Sequence, residues 1–136
     1  MKLEVGMYVR GKYYQYRGKI GKIIKNYNND LEISYKNGIL KTNVGSFIYD
    51  NYDINGKQYK ASFDIIDILE VGDYVNGLRV EKNKYGELYT SYVYYGGDIG
   101  KQCEVYTTWL KELKEDMIYS IVTHEQMEQM AYKVGE

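Results

Sequence analysis

The sequence predicts a mainly β protein with minor α content, built from two consecutive modules. Tyrosine is unusually frequent, at 18 of 136 residues, and tyrosine favours the half-buried, pleated surface of a sheet. Proline is absent while glycine occurs 14 times, so tight turns must come from Gly, Asn and Asp, as they do in β-hairpins. A seven-residue phrase also occurs twice, once at the start of each predicted module.

The repeated phrase is Leu-Glu-Val-Gly-x-Tyr-Val, which begins at Leu3 and again at Leu69 with six of its seven residues identical. The two copies are too far apart for a solenoid, whose period is about 20 to 50 residues. We therefore predict a basic β module over residues 1–68 and an acidic β-rich module over residues 69–136. The shared phrase is interpreted as scaffold, so a binding site is expected where the two copies differ.

Alternation along the first copy predicts a strand with Val5, Met7 and Val9 on one face and Tyr8 on the other. The glycine inside the phrase permits a sharp bend or a bulge near the start of that strand. The phrase is therefore expected to form the opening strand of each module.

Two further strands and a hairpin are predicted downstream of the opening strand. Ile20 and Ile24 alternate with lysines in a second strand, and residues 31–36 alternate apolar and polar side chains in a third. Asn37-Gly38 then predicts a type I′ hairpin turn.

The end of the first module carries another turn signal and an apolar run. Asn55-Gly56 predicts a hairpin between residues 52–54 and 58–60. Asp64 precedes the apolar run over residues 65–69, and Asp67 lies within it. These aspartates predict a short turn there rather than a long helix.

The second module is predicted to contain strands first and helices last. Asn76-Gly77 predicts a turn or bend, and residues 87–95 and 102–107 are strand-like. Residues 109–117 have the spacing of an amphipathic helix. Thr123 and Gln126 match a capping box that begins a short final helix. The buried stripe of that helix is predicted to be Met127, Met130 and Ala131.

Residues suited to catalysis or metal binding are scarce. The one cysteine, Cys103, cannot form an internal disulfide and is expected to be a small buried strand residue. The one histidine, His124, is expected to be an exposed surface residue without a metal. No phosphate-binding glycine motif and no nucleophile beside a base occurs. We therefore expect no enzymatic activity, no cofactor and no metal.

The charge distribution and the absence of long apolar runs indicate the cellular setting. Residues 1–68 carry 11 Lys or Arg against 7 Asp or Glu, whereas residues 69–136 carry 7 against 12. This asymmetry fits either a face for an anionic partner or simply two solvated surfaces of opposite charge. The amino terminus lacks the apolar run of a signal peptide, and no stretch approaches the roughly 18 apolar residues of a membrane span. A soluble, intracellular protein is expected.

Interleaved cations and tyrosines mark the predicted partner-binding residues. Cations neutralise phosphates and aromatic faces stack on bases, while Tyr and Arg also anchor protein interfaces, so both partner classes stay open. The basic segment of this kind consists of Arg10, Lys12, Tyr13, Tyr14, Tyr16, Arg17 and Lys19. The acidic module adds an aromatic cluster, Tyr89, Tyr92, Tyr94 and Tyr95, whose outward members are expected to contact protein if they are exposed. Tyr94 and Tyr95 complete the nine predicted partner-binding residues.

The first module also resembles a known family. Val5-Gly-x-Tyr-Val-Arg followed by Arg17-Gly-Lys-Ile-Gly-Lys-Ile-Ile resembles the opening of a small SH3-like β-barrel of the KOW kind, in which a strand and a loop precede a Gly-x-x-Gly-x-Ile strand. The matching positions are Gly18, Gly21 and Ile23. The resemblance implies binding of RNA or protein through the loop that is here Gly11–Gly18, without catalysis.

The whole chain resembles small accessory proteins of phages and prophages of low-GC Gram-positive bacteria. The resemblance rests on Leu69-Glu-Val-Gly-Asp-Tyr-Val-Asn-Gly-Leu-Arg-Val and on Ile118-Tyr-Ser-Ile-Val-Thr-His-Glu-Gln-Met. Proteins of that sort with known roles often bind and block a host factor, anti-CRISPR proteins among them. The resemblance implies action in the cytoplasm of a bacterial host.

Three functional hypotheses follow. The leading one is a non-enzymatic module that binds a host or phage protein stoichiometrically and inhibits a host defence complex such as a CRISPR–Cas effector. The alternatives are a nucleic-acid-binding barrel that uses the basic tyrosine-rich segment, and a phage structural or assembly protein. No membrane partner is expected.

Overall fold

The computed structural model describes residues 2–11, 16–51, 59–94 and 104–134 of the 136-residue chain. These residues are mainly β with minor α content and end in a short helix, which confirms the predicted fold class. The chain divides into two compact units, Met1–Ile68 and Leu69–Glu136, called unit 1 and unit 2 below.

The described residues of unit 1 form one antiparallel sheet with the strand order β4-β3-β2-β1-β5. Its strands are β1 (Tyr8–Arg10), β2 (Ile20–Tyr27), β3 (Asp30–Tyr35), β4 (Gly38–Asn43) and β5 (Lys60–Ser62). Helix α1 (Val44–Asp50) begins directly after β4, where the Asn43 side chain accepts a hydrogen bond from the Ser46 amide. A 3-10 turn at Ile65–Ile68 ends the unit, as the aspartates around it predicted.

One hydrophobic core organises unit 1. The alternation predicted for residues 31–36 is confirmed, since Leu31 and Ile33 face inward while Glu32 and Ser34 are only partly covered. The buried side chains of this core are Leu3, Met7, Val9, Ile23, Leu31, Ile33, Phe47 and Tyr59. The core therefore joins residues near the start of the unit, such as Leu3, with residues near its end, such as Tyr59.

Two side-chain assignments in unit 1 were wrong. Strand β2 turns Gly21 and Ile23 inward, so Ile24, the next residue, points outward: Ile23 is 1% exposed and Ile24 is 43% exposed. The alternation of Ile20 and Ile24 with the lysines therefore does not mark the buried face. Val5 is also exposed, because it occupies the corner of a turn rather than the strand.

The predicted hairpin between β3 and β4 exists, but its turn lies one residue earlier than predicted. Tyr35 pairs with Gly38, so Lys36 and Asn37 form the turn and Gly38 belongs to β4. This register pairs Ile33 with Leu40, and a shift by one residue would move the inward side chains of β3 to solvent. The predicted hairpin at Asn55-Gly56 lies outside the described residues.

The described residues of unit 2 form two small antiparallel sheets, with orders β11-β6-β7 and β10-β9-β8. The strands are β6 (Tyr74–Val75), β7 (Leu78–Arg79), β8 (Glu81–Lys82), β9 (Leu88–Tyr94), β10 (Glu104–Trp109) and β11 (Ile121–Val122). Asn76 and Gly77 have φ angles of 52° and 82° and join β6 to β7, which confirms a turn at that predicted position.

The helix predicted over residues 109–117 is wrong. Trp109 ends β10, where it pairs with Tyr89 and their rings meet edge to face at 5.6 Å. Two separate 3-10 turns follow, at Leu110–Glu112 and Glu115–Met117, and Leu113 between them is extended. Pairing with β9 therefore overrides the helical spacing of this segment.

Helix α2 (His124–Val134) begins with the predicted capping box. The Gln126 amide donates to Thr123 Oγ1 at 3.3 Å, and the Thr123 amide donates to Gln126 Oε1 at 2.9 Å. The prediction that Met127 is buried was wrong, since its side chain is 39% exposed. The side chains of Met130 and Ala131 lie outside the description.

The repeated phrase folds into the same turn in both units. Met7 N donates to Glu4 O and Asp73 N donates to Glu70 O, each at 3.1 Å. The third residue of the turn is Gly6 in unit 1 and Gly72 in unit 2, with φ of +96° and +94°. A positive φ at that position is the requirement of a type II β-turn.

The turn is fastened to one residue later in the chain by the same pair of backbone hydrogen bonds in both units. Gly6 N donates to Ile23 O at 2.8 Å, and Ile23 N donates back to Met7 O at 2.8 Å. In unit 2 the corresponding bonds join Gly72 N to Val80 O at 3.0 Å and Val80 N to Asp73 O at 2.7 Å. Ile23 lies in β2, whereas Val80 lies between β7 and β8, so the phrase specifies a turn together with its two hydrogen bonds to a neighbouring segment.

We predict that Gly6→Ala and Gly72→Ala each lower the free energy of unfolding by about 1–2 kcal/mol, because an L side chain resists a left-handed φ. Gly72→Ala should cost more, since its Cβ would lie 3.2 Å from the Cβ of His124, whereas the nearest atom to a Cβ at Gly6 is 3.6 Å away. Gly45→Ala is the matched control: Gly45 lies inside α1 without a positive φ, so we expect it to stabilise by about 0.5–1 kcal/mol. Urea unfolding measures all three, and equal effects would contradict the assignment of the turn.

Candidate functional site

The nine predicted partner-binding residues fall into three groups. Four have described side chains, namely Arg10, Tyr16, Arg17 and Lys19. Tyr94 is described by its backbone alone, which lies in β9 opposite Glu104. The others lie outside the described residues, and these are Lys12, Tyr13, Tyr14 and Tyr95.

Arg10 and Tyr16 lie inside unit 1. Arg10 is fully buried in β1, and its Nη1 donates to the carbonyl oxygen of Ile68 at 3.1 Å. Tyr16 is also buried, with its ring 6.3 Å from the rings of both Tyr35 and Phe47. Burial is the main reason that the pKa of Tyr35 is raised above its usual range, with Tyr16 adding to the effect. These side chains hold the unit together rather than facing solvent.

Arg17 and Lys19 are exposed beside a tight backbone clasp. Gly11 N donates to Lys19 O at 3.1 Å, and Gly18 N donates to Gly11 O at 3.0 Å. A Cβ on Gly11 would lie 2.1 Å from Tyr16 O, so this position requires glycine. The clasp presents the two cations at the surface. A third exposed cation, Lys22 in β2, has its Nζ 5.3 Å from the ring centroid of Tyr8.

Strands β9 and β10 form a two-stranded ribbon that carries exposed apolar side chains. The two strands pair over six residues from Glu104↔Tyr94 to Trp109↔Tyr89. Four large side chains of the ribbon are between 44% and 64% exposed, namely Tyr92, Val93, Val105 and Tyr106. We call these four residues the ribbon patch.

Cross-strand pairs give the ribbon patch two apolar faces. Tyr92 lies opposite Tyr106, with the rings stacked at 5.2 Å and 18° between their planes. Val93 lies opposite Val105 on the other face, because successive side chains of a strand point to opposite sides. Such pairs are the unit of sheet stabilisation, so the patch is held in place before any partner arrives.

The ribbon patch is neutral except at one end. The Tyr106 hydroxyl donates to the Glu104 carboxylate, and this hydrogen bond is the main reason that the pKa of Tyr106 lies above its usual value. Partial burial and Tyr92 raise it further. Glu104 is the one charged residue within β9 and β10, so neither of these two strands contributes a cation.

The sequence pointed to part of this surface. Tyr92 was included in the aromatic cluster, whereas Val93, Val105 and Tyr106 were missed. Their signal is present in the strand-like pattern of residues 102–107, but a strand pattern does not say whether another layer covers its faces. Exposure on both faces depends on where the rest of unit 2 packs.

No helix among the described residues is long and apolar enough to cross a membrane. Comparisons with protein-family models, with curated proteins and with solved structures gave no match to this chain.

We predict that Glu104→Gln lowers the pKa of Tyr106 towards its ordinary value. The phenol can donate to the Glu104 carboxylate only while it is protonated, so weakening this hydrogen bond makes ionisation of Tyr106 easier. The pKa of Tyr106 is higher in the folded chain than in the unfolded chain. The hydrogen bond therefore stabilises the fold at pH values below the unfolded pKa, and this stabilisation is lost as the pH rises through the folded pKa. NMR titration of the Tyr106 ring measures the shift, and an unchanged pKa in Glu104→Gln would contradict the assigned contact.

Proposed function

We propose that this chain is a non-enzymatic protein-binding module that acts by stoichiometric association through the ribbon patch. The observation that carries the proposal is the exposure of paired Tyr and Val side chains on both faces of β9 and β10. Interface cores are enriched in aromatic residues and depleted of charge, and the ribbon patch has that composition.

The chemistry of the ribbon favours protein over nucleic acid as its partner. Phosphate contacts need Lys or Arg, whereas the charged residue of β9 and β10 is the acidic Glu104. Tyr combines a large apolar ring with a hydroxyl, which suits an anchor in a partially hydrated protein interface.

Strand β10 offers a second contact mode. It is the outermost strand in the order β10-β9-β8. An outer strand can add a strand of a partner through its backbone, with alternate side chains supplying specificity. Tyr106 and Val105 would then both lie next to the added strand.

The biological setting of the proposal comes from the resemblance to phage and prophage accessory proteins. On that basis the partner is a host or phage protein in the bacterial cytoplasm, and the proposed effect is inhibition of a host defence complex such as a CRISPR–Cas effector. Fold does not specify function, so the support for this step is the resemblance together with the contact surface.

A second candidate function is nucleic-acid binding by unit 1 as a small SH3-like barrel. Exposed Arg17 and Lys19, together with the contact of Lys22 with the Tyr8 ring, support it, because cations and aromatic rings suit a phosphate backbone and its bases. Further support is that Gly21 and Ile23 lie in β2, paired to β1, as the KOW resemblance implies.

We predict that Val105→Ser and Tyr106→Ser each weaken partner binding by about tenfold or more, as expected for anchors at the centre of an interface. The full chain would first capture its partner from a lysate of the bacterial host, and the affinity of each variant for the identified partner would then be measured by calorimetry. Tyr119→Ser is the matched control, because Tyr119 is 83% exposed in the same unit but lies outside the ribbon. Equal losses in all three variants, or no captured protein, would contradict the proposal.

For nucleic-acid binding by unit 1, we expect a gel shift at about 50 mM salt that weakens steeply as salt rises, because phosphate contacts release counterions. The double variant Arg17→Glu with Lys19→Glu should abolish it, while Lys84→Glu in unit 2 should not. Absence of any shift at low salt would remove this candidate. Self-association of the wild-type chain in light scattering, without partner capture, would instead favour the assembly hypothesis.

A further inference from the structure

Three ligand-type side chains meet where α2 begins. The Nε2 atom of His124 lies 2.8 Å from Oε1 of Glu70 and 2.9 Å from Oε1 of Glu125. One donor atom from each of the three residues lies within 4.8 Å of the others. Two carboxylate oxygens thus converge on a single imidazole nitrogen.

The fold holds this group in place through Asp73, the residue at which the second copy of the repeated phrase departs from the first. Asp73 Oδ2 accepts the Glu70 amide at 2.7 Å, and Oδ1 accepts the His124 amide at 2.9 Å. One carboxylate therefore ties the start of unit 2 to the first residue of α2. The backbones that carry two of the three donors are consequently fixed relative to each other.

Burial adds to this preorganisation. Glu125 is 3% exposed, and the side chains of Glu70 and His124 are partly covered. The expectation of an exposed surface histidine was therefore wrong for His124. Its position follows from contacts with Glu70, which is 54 residues away along the chain.

Negative charge accumulates around the single imidazole. Glu128 Oε1 lies 3.8 Å from His124 Nδ1, and Asp73, Glu70 and Glu125 complete a set of four carboxylates at the start of α2. The attraction of these carboxylates for positive charge favours a cation over an anion as the ligand of this group.

We infer that Glu70, His124 and Glu125 form a binding site for a divalent first-row transition ion of the Zn²⁺ class. Zn–N and Zn–O bonds of about 2.0–2.2 Å place neighbouring donor atoms roughly 3.0–3.5 Å apart. The observed separations of 2.8 and 2.9 Å need to widen by only a few tenths of an ångström. An imidazole beside two carboxylates suits Zn²⁺ better than Ca²⁺ or Mg²⁺, which prefer oxygen donors alone.

The ion has a structural role in this proposal. It would link the repeated phrase of unit 2 to α2 through Glu70 and His124, and so would stabilise unit 2. The site does not involve the ribbon patch, so it stands or falls independently of protein binding.

Unit 1 supplies a matched control within the same chain. Glu4 occupies the position of Glu70 in the repeated phrase, but its side chain is exposed. Three residues later unit 1 has Met7, where unit 2 has Asp73. Glu4→Gln therefore removes the same chemical group from the same turn without touching the proposed site.

The test uses metal-free full-length chain without an affinity tag. It is carried out in a Cys103→Ser background, so that the one thiol of the sequence cannot bind the ion. Zn²⁺ is titrated by calorimetry, and the imidazole resonances are followed by NMR, where the single histidine makes their assignment unambiguous. We expect one equivalent of Zn²⁺ to bind, to shift the His124 resonances and to raise the midpoint of thermal unfolding.

Variants distinguish this site from general binding to acidic surface groups. Glu70→Gln and His124→Ala should weaken Zn²⁺ binding by roughly 100-fold, while Glu4→Gln should leave it unchanged. Circular dichroism checks that each variant is folded, and Glu70→Gln keeps the size of the side chain. The inference is overturned by unshifted His124 resonances at about 1 mM Zn²⁺, by equal weakening in Glu4→Gln, or by Mg²⁺ binding as tightly as Zn²⁺.

Discussion

The type II turn of the repeated phrase is the constraint on which both units depend. Gly6 and Gly72 supply a positive φ that other residues adopt only with strain. The glycine amide of the turn donates to a neighbouring backbone carbonyl, and the next residue's carbonyl accepts a hydrogen bond from the same neighbour, which is Ile23 in unit 1 and Val80 in unit 2. Because the register of a strand decides which side chains face inward, this docking aligns the opening strand of each unit with its core.

The two copies of the phrase differ in the contacts of their fifth residue and in the segment that follows them. The fifth residue of the phrase is Met7 in unit 1, where it joins the hydrophobic core. In unit 2 the same position is Asp73, which anchors the start of α2. The opening strand then leads into the clasp around Gly11 in unit 1, but into the tight Asn76-Gly77 turn in unit 2. The shared residues of the phrase thus form the same turn in both units, whereas the residue that differs makes contacts specific to each unit.

Local chemistry in the sequence predicted the elements that depend on near neighbours. The turn at Asn76-Gly77 and the capping box of Thr123 with Gln126 need contacts only a few residues apart, and both are present. The helix predicted over residues 109–117 was wrong because of a distant contact. Trp109 pairs with Tyr89 rather than starting a helix, because sheet pairing and an aromatic contact outweigh helical spacing.

The same limit applies to the candidate sites. Arg10 resembles any strand cation in the sequence, and its burial depends on Ile68, which is 58 residues away. His124 appears isolated in the sequence because Glu70 belongs to the opposite end of unit 2. The exposure of Val105 and Tyr106 is likewise decided by packing elsewhere. Residue types could therefore be predicted as candidates, whereas their grouping required the fold.

Amide hydrogen exchange of the chain, free and bound to its captured partner, tests most directly whether the ribbon is the contact surface and the repeated turns are scaffold. We predict slower exchange on binding within Leu88–Tyr94 and Glu104–Trp109, with the amides of Gly6 and Gly72 unchanged. Protection confined to unit 1 around Arg17 and Lys19, with the ribbon unaffected, would contradict this assignment.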